Sequence, residues 1–342
     1  MHKKRIYGVT AVIFLIVGIV GTTYYQKIFG KSVTKNGTIY IRSNADMLKV
    51  NKYVSEYLKN PNDFLWLTRK KKFTTPKGGM YLLKKDMSLN DLVNLLRSGQ
   101  QTPIKITFNN QHTLENLARR IAQQIEADST AIVNAMRNPT FLSENNLQPK
   151  SVLEICIPNS YEFYWNTSAE KFRNRMLKEY HRFWTPNRLG KAKKLQLTKS
   201  EVITLASIVQ KETAQQKERP IVAGLYLNRL KSGWPLQADP TIIYVLKEKY
   251  GNDFMVKRVL NKDLKIDSPY NTYKNKGLPP TLIGMPDISS IDAVLNPEKH
   301  RYYYMCASIS NIGFHDFART LAQHNRNAGK YRRWISKKGI NR

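Results

Sequence analysis

Ala206-Ser207-Ile208-Val209-Gln210-Lys211-Glu212-Thr213 lies in the middle of the helix that this chain signals most strongly. The helix start is written upstream. Thr198 can act as N-cap, Glu201 can close a capping box, and Leu197 and Val202 occupy the two positions of a hydrophobic staple. Val202, Leu205, Ala206, Val209 and Thr213 then recur at helical spacing, the apolar stripe that such a helix turns toward a core. At about 100° per residue, Glu212 projects between Leu205 and Ile208, at the margin of that stripe. A carboxyl group half-sunk in an apolar wall is disfavoured as the anion, so its pKa is expected to rise from about 4.3 toward about 6, where a general acid works. The competing reading makes Glu212 a rim residue paired with Lys211 or Lys217. Gln210, about 160° around the helix from Glu212, and Glu218, about 120° around it, fall on other faces, so Glu218 is expected to tolerate substitution.

Further motifs follow in order: Val222-Ala223-Gly224-Leu225-Tyr226-Leu227-Asn228-Arg229-Leu230, Leu236-Gln237-Ala238-Asp239-Pro240-Thr241, Asp267-Ser268-Pro269-Tyr270-Asn271-Thr272-Tyr273, Gly277-Leu278-Pro279-Pro280 and Gly313-Phe314-His315-Asp316-Phe317. Their order and wording resemble the endolytic murein transglycosylase (YceG-like) family over about the last two thirds of the chain, and more weakly before it. In that family the helix commonly reads Ala-Ser-Ile-Val-Glu-Lys-Glu-Thr. Gln210 stands here for the first glutamate, which leaves Glu212 as the acid. Two other departures are visible. Asn109-Asn110-Gln111-His112 replaces a usual Pro-Glu-Gly turn, and Glu154 to Tyr161 keeps the skeleton of a family segment while losing its Gly and Asp.

The chain has 342 residues, enough for two domains, with 56 Lys and Arg against 25 Asp and Glu and a net charge of +31. That excess fits an anionic surface or polymer. His2-Lys3-Lys4-Arg5 precedes an uncharged, apolar run from Ile6 to Gln26, the length of one transmembrane helix, with a cytoplasmic N-terminus and the remainder outside. A cleaved signal peptide is the alternative, set against the lack of a small-x-small site and the interfacial look of Tyr24-Tyr25. Outward topology, and basic clusters not interleaved with stacking aromatics, argue against nucleic acid. The expected fold is α+β. A cytoplasmic stub and transmembrane anchor cover 1–30, and a small α+β domain covers 31–105. A mixed α/β catalytic domain covers 106–330, and a basic tail 331–342. Gly79-Met80-Tyr81, Met87-Ser88 and the helix closing in Arg97-Ser98-Gly99 resemble the LysM-like region of the same family. Cys156 and Cys306 stand far apart, either as a pair or as buried free thiols. No histidine or cysteine spacing fits a metal, and no cofactor is expected.

The resemblance implies a lytic transglycosylase of the cytoplasmic (inner) membrane. It would cut peptidoglycan glycan strands on the periplasmic or extracytoplasmic side, beside peptidoglycan synthases. Such an enzyme needs one strong acid, here Glu212, in contrast to the two carboxylates of most glycosidases. Asn228, Gln237, Asp239, Thr241, Tyr270, Asn271, Thr272 and Tyr273 are the candidate sugar-binding residues, by their amide, hydroxyl, carboxyl and ring groups. Each has a structural alternative. Asp239-Pro240, for instance, can start a helix with Asp as N-cap and Pro at N1, and His315 can be a supporting rather than a catalytic histidine. Two rival functions stand beside the transglycosylase: a hydrolytic muramidase in which Asp239 or Asp267 positions water, and a wall-binding scaffold without activity.

Overall fold

The computed structural model describes residues 2–256 and 258–338, so Met1 and the end of the basic tail, 339–342, lie outside the described residues. Helices and short strands in two-stranded sheets are mixed along the chain, as the α+β class requires. Two compact units are present. The first takes residues up to 106 with 122–128 and 160–168, and the second takes 107–121, 129–159 and residues from 169 onward.

The first unit opens with α1 (His2–Phe29), whose residues Ile6–Phe29 have a mean hydropathy of 2.1 and none of whose apolar span is buried. By length and composition it is able to cross a membrane. Its last turns meet the unit's own core. Lys27 pairs with Asp63 at 2.8 Å, and the Tyr24 ring lies 5.7 Å from that of Trp66. There follow β1 (Gly37–Ile41), α2 (Met47–Ser55), α3 (Pro61–Lys70), β2 (Gly79–Leu83) and α4 (Leu89–Ser98). β1 and β2 pair antiparallel with Ile39 opposite Tyr81, both buried. Alternation sends Ile39 and Ile41 inward and Tyr40 to the surface. α2 ends at Ser55, where the Glu56 backbone N–H turns back to Val54 O. α4 is bounded as its sequence dictates. The Ser88 hydroxyl accepts from Asp91 N at 3.1 Å, and Gly99, at φ 74°, takes the left-handed cap that costs other residues most.

The chain passes between the units along β3 (Ile104–Phe108) and β4 (Asn159–Phe163). In the second unit come α5 (Leu114–Ala122), α6 (Ser129–Met136), α7 (Pro139–Glu144), α8 (Ala169–Phe183), α9 (Pro186–Lys194) and α10 (Lys199–Glu212). They are followed by α11 (Arg219–Lys231), α12 (Asp239–Tyr250), α13 (Ile288–Leu295), the hairpin β5 (Tyr304–Ala307) and β6 (His315–Ala318), and α14 (Leu321–Lys337). Residues 331–337 of the basic tail are thus the last turns of α14. Cys156 and Cys306 are free thiols.

α10 begins as expected, with the Thr198–Glu201 capping box formed in both directions. Its burial differs from the expected stripe. Every residue from Val202 to Val209 is buried, because α11, α12 and α13 pack around it and α9 covers its edge. A helix wrapped on all sides has no solvent face to restrict its apolar residues to one arc. Each buried Val, Leu or Ile contributes about 1.5–3 kcal/mol, and the hydroxyl of buried Ser207 is satisfied. Ser207 Oγ donates to Thr204 O at 2.7 Å and accepts from Ile283 N at 3.1 Å. Glu212 is the final residue of α10, not a mid-helix one, and Thr213 leaves in an extended conformation at φ −137°.

Candidate active site

Ending α10 at Glu212 puts its carboxyl at the negative end of the helix dipole, which disfavours the anion. Tyr226, buried in α11, donates its hydroxyl to Glu212 Oε1 at 2.6 Å. The residue as a whole is half-buried, yet its carboxyl lies deep enough for burial to be the largest influence on it. Burial pushes the pKa up to about 7. The Tyr226 hydrogen bond opposes this, the Asp239 charge adds to it, and His315 and Arg229 pull back. Glu212 therefore carries its proton near neutrality. It pairs with neither Lys211 nor Lys217.

Asp239 stands exposed at the start of α12. The N-cap is Ala238, so Asp239 is at the first helical position and Pro240 at the second, one residue later than expected. The Asp239 carboxylate instead accepts from Tyr273 Oη at 2.6 Å. Just before it, Gln237 holds a left-handed backbone at φ 51°, unusual for a residue with a side chain, and its N–H is tied to Thr272 O at 3.0 Å. Arg229 is buried and anchored by its Nε to Tyr303 O at 2.8 Å and by a second guanidinium nitrogen to Leu236 O. Both carbonyls are backbone groups, and no carboxylate stands at ion-pair distance from its charge among the described residues.

Glu218 departs most from expectation. It lies off α10 altogether, at the N-cap position of α11, and is 3% exposed. Its carboxylate accepts from His315 N at 2.6 Å and from His315 Nδ1 at 2.9 Å. Burial alone would raise Glu218, but the hydrogen bonds from His315 and Thr213 and the imidazolium charge hold it below the usual carboxylate range. Burial alone would lower His315, and Glu218 reverses this and raises it, with help from Glu212 and Asp316. His315 is thus hydrogen-bonded to buried Glu218, as the supporting reading expects, and Glu218 is not the unpartnered residue that the helix pattern expects.

The eight candidate sugar-binding residues divide sharply. Asn228 donates to the backbone oxygens of His300 and Tyr302, and Asn271 to those of Leu264 and Ile266. Thr241 and Thr272 bond one another at 2.9 Å in the interior, and the Tyr270 hydroxyl meets Thr281 Oγ1 at 2.7 Å. The geometry of these five does not support sugar contact: Thr241, Tyr270, Asn271 and Thr272 are buried and bonded within the fold, and the half-buried Asn228 commits its amide N–H groups to backbone oxygens. Gln237, Asp239 and Tyr273 remain accessible. Asp267, an alternative water-positioning acid, points to solvent with a side chain 98% exposed and pairs with Lys274.

A family model described as the YceG-like family matches residues 39–330. The chain belongs to the YceG-like family. An endolytic murein transglycosylase of Bacillus subtilis (strain 168) is 31% identical across 93% of this chain and 91% of its own length. An endolytic murein transglycosylase of Streptococcus pneumoniae serotype 2 is 28% identical across 78% of this chain, which spans only 53% of that longer protein. A crystal structure of a putative yceG-like protein from Listeria monocytogenes is 27% identical, covers 85% of this chain and 98% of its own, and has a TM-score of 0.56.

Within this YceG-like chain, Gln210 has a role apart from Glu212. Its Oε1 accepts from Asp287 N and from Ser290 Oγ, capping the start of α13 that Asp287 leaves without a side-chain bond of its own. An amide oxygen serves that purpose as a carboxylate does. Tyr226 and Arg229 both lie in the quoted Val222–Leu230 stretch, but a tyrosine and an arginine on an apolar helix carry no pattern that names their partner.

Proposed function

We propose that this chain is a membrane-anchored lytic transglycosylase cutting the MurNAc-GlcNAc β-1,4 bond within nascent peptidoglycan glycan strands. The observation that carries this reading is the enclosed Glu212 carboxyl, protonated to about pH 7 and held by Tyr226 at 2.6 Å. Glu212 gives its proton to the glycosidic oxygen, which leaves as the GlcNAc 4-hydroxyl. The muramyl 6-hydroxyl oxygen closes onto C1, and its proton passes to the Glu212 carboxylate, restoring the acid. The product end is 1,6-anhydro-MurNAc, and no water enters. Attack from within the same sugar carries a high effective concentration, so one acid/base suffices. Gln237, Asp239 and Tyr273 are the accessible groups that would orient the strand. Names of the Bacillus and Streptococcus relatives support the substrate class.

Mass spectrometry of sacculi digested by the detergent-solubilised chain tests the reaction. Anhydromuramyl ends are expected. Reducing ends would instead favour a muramidase in which exposed Asp239 orients water, and undigested sacculi a scaffold. Longer glycan strands in cells carrying only the Glu212→Gln chain are expected if it terminates strands beside the synthases. The first unit is proposed to be the LysM-like, wall-facing domain, with α1 as a single-pass anchor of the cytoplasmic membrane. Protease added to spheroplasts should digest residues beyond 31 and spare an N-terminal tag; a soluble form lacking α1 would mean a cleaved signal.

The tuning of Glu212 has a signed consequence. Activity that needs the protonated acid falls as pH rises through about 7. Tyr226→Phe removes a bond that favours the anion, so the alkaline limb should move up by about one pH unit. Asp239→Asn removes a charge that disfavours the anion, so the limb should move down. A limb unmoved in both folded variants would detach Glu212 from the profile.

A further inference from the structure

Away from the glutamate centre the second unit holds a cavity of about 410 Å³, and none of Glu212, Tyr226, Asp239, Tyr273 or His315 lines it. That volume lies in the range of small-molecule sites. Much of its wall is apolar, with Val152, Ile243, Tyr244 and Leu282 among the lining side chains. Its charges are unbalanced. Arg137 is paired with Glu115 at 2.7 Å and Lys150 with Glu248 at 2.8 Å, which neutralises both carboxylates that face the cavity. Lys211 and Lys247 also line it, and neither has a carboxylate at ion-pair distance among the described residues. The half-buried Lys211 ammonium has, among the described residues, the His112 imidazole for its hydrogen-bond partner, at 3.2 Å from Nδ1. Burial, and then Lys247, lower Lys211, with Asp287 opposing from the start of α13. His112 is lowered by burial and by both lysines. Gly284 adjoins this corner, where a Cβ would come within 3.7 Å of the Lys211 side chain.

We propose that this cavity is a second binding site, taking a small organic carboxylate whose apolar body fills the walls while its anionic end sits between Lys211, Lys247 and His112. An anion there relieves the repulsion between two ammonium groups and forms charge-assisted hydrogen bonds in a partly desolvated place. A compact inorganic ion would leave the apolar walls uncovered. The source that fits is a free peptide carboxyl terminus, as carried by the stems of uncrosslinked glycan strands. Naming the stem rests on the glycan reading above, whereas the preference for a carboxylate does not. Lys211 and Glu212 are neighbours at the end of α10, so the two sites share one turn of helix.

Isothermal titration calorimetry on the full chain in detergent tests this with N-acetyl-D-alanyl-D-alanine, its C-terminal amide and inorganic phosphate. The acid is expected to bind at least about tenfold more tightly than the amide, and Lys211→Gln and Lys247→Gln each to weaken the acid by about tenfold, or about 1.4 kcal/mol. Equal binding of acid and amide, binding of phosphate but not of the acid, or no binding of either anion would overturn the proposal. So would wild-type affinity in both lysine variants with unchanged melting. Cleavage plays no part in this readout, so a failure to form anhydromuramyl ends leaves the carboxylate result standing, and the reverse also holds.

Discussion

Glu212→Gln is expected to lower glycan cleavage by about 10²–10⁴-fold, the range that a positioned general acid contributes. The amide is nearly isosteric and can keep the Tyr226 hydroxyl as a partner through its oxygen, so the helix end and its surroundings should remain folded. What it cannot do is release a proton to a leaving oxygen. Because folding holds on Glu212 a proton that the unfolded chain gives up above the ordinary 4.5, replacing it with a neutral group should leave stability unchanged below 4.5, raise it increasingly from there to about 7, and keep that gain at higher pH. Activity and stability should therefore separate: melting temperature kept, turnover lost. Cleavage within a factor of about ten of wild type by the folded variant would remove Glu212 from the role of acid.

The second large effect is expected at Glu218. Breaking a buried charged pair by removing one partner costs about 3–5 kcal/mol, so Glu218→Ala should be severely destabilised, and Glu218→Gln, which weakens hydrogen bonds to a charged group, by about 1.5–3 kcal/mol. The pH dependence carries the signature. Glu218 is depressed on folding, so its contribution is present above the ordinary carboxylate value of 4.5 and lost as pH falls through its folded pKa. His315 is raised on folding, so its contribution is present below the ordinary 6.5 and lost as pH rises through its folded pKa. Thermal melts of wild type and Glu218→Gln should differ most between those two values and converge on the alkaline side. A gap that is constant with pH would mean that Glu218 only fills space. Activity should fall along with stability in these variants, since the His315 charge also reaches Glu212.

The features legible in the residues alone are local. The capping box of α10, the Ser88 and Gly99 ends of α4 and the apolar length of α1 all follow from residues a few positions apart, where capping bonds and helical periodicity operate. The rise of Glu212 was expected from a stripe on its own helix, whereas its burial comes with the packing of α11, α12 and α13 around α10. Family wording added the order of motifs, without saying which side chains face a ligand. Asn228, Thr241, Tyr270, Asn271 and Thr272 show why. An amide or hydroxyl has the same chemistry whether it meets a sugar or a backbone carbonyl, and only packing decides which is within reach. Periodicity also carried the helix past its real end, placing Glu212 in mid-helix and Glu218 on its far side. Glu218 and His315 are 97 residues apart, Tyr226 reaches Glu212 from another helix, and Lys211 meets His112 across 99 residues. Such pairings arise when α10 is enclosed by its neighbours, because burial and partner choice belong to contacts between distant segments and leave no mark in the spacing of either one.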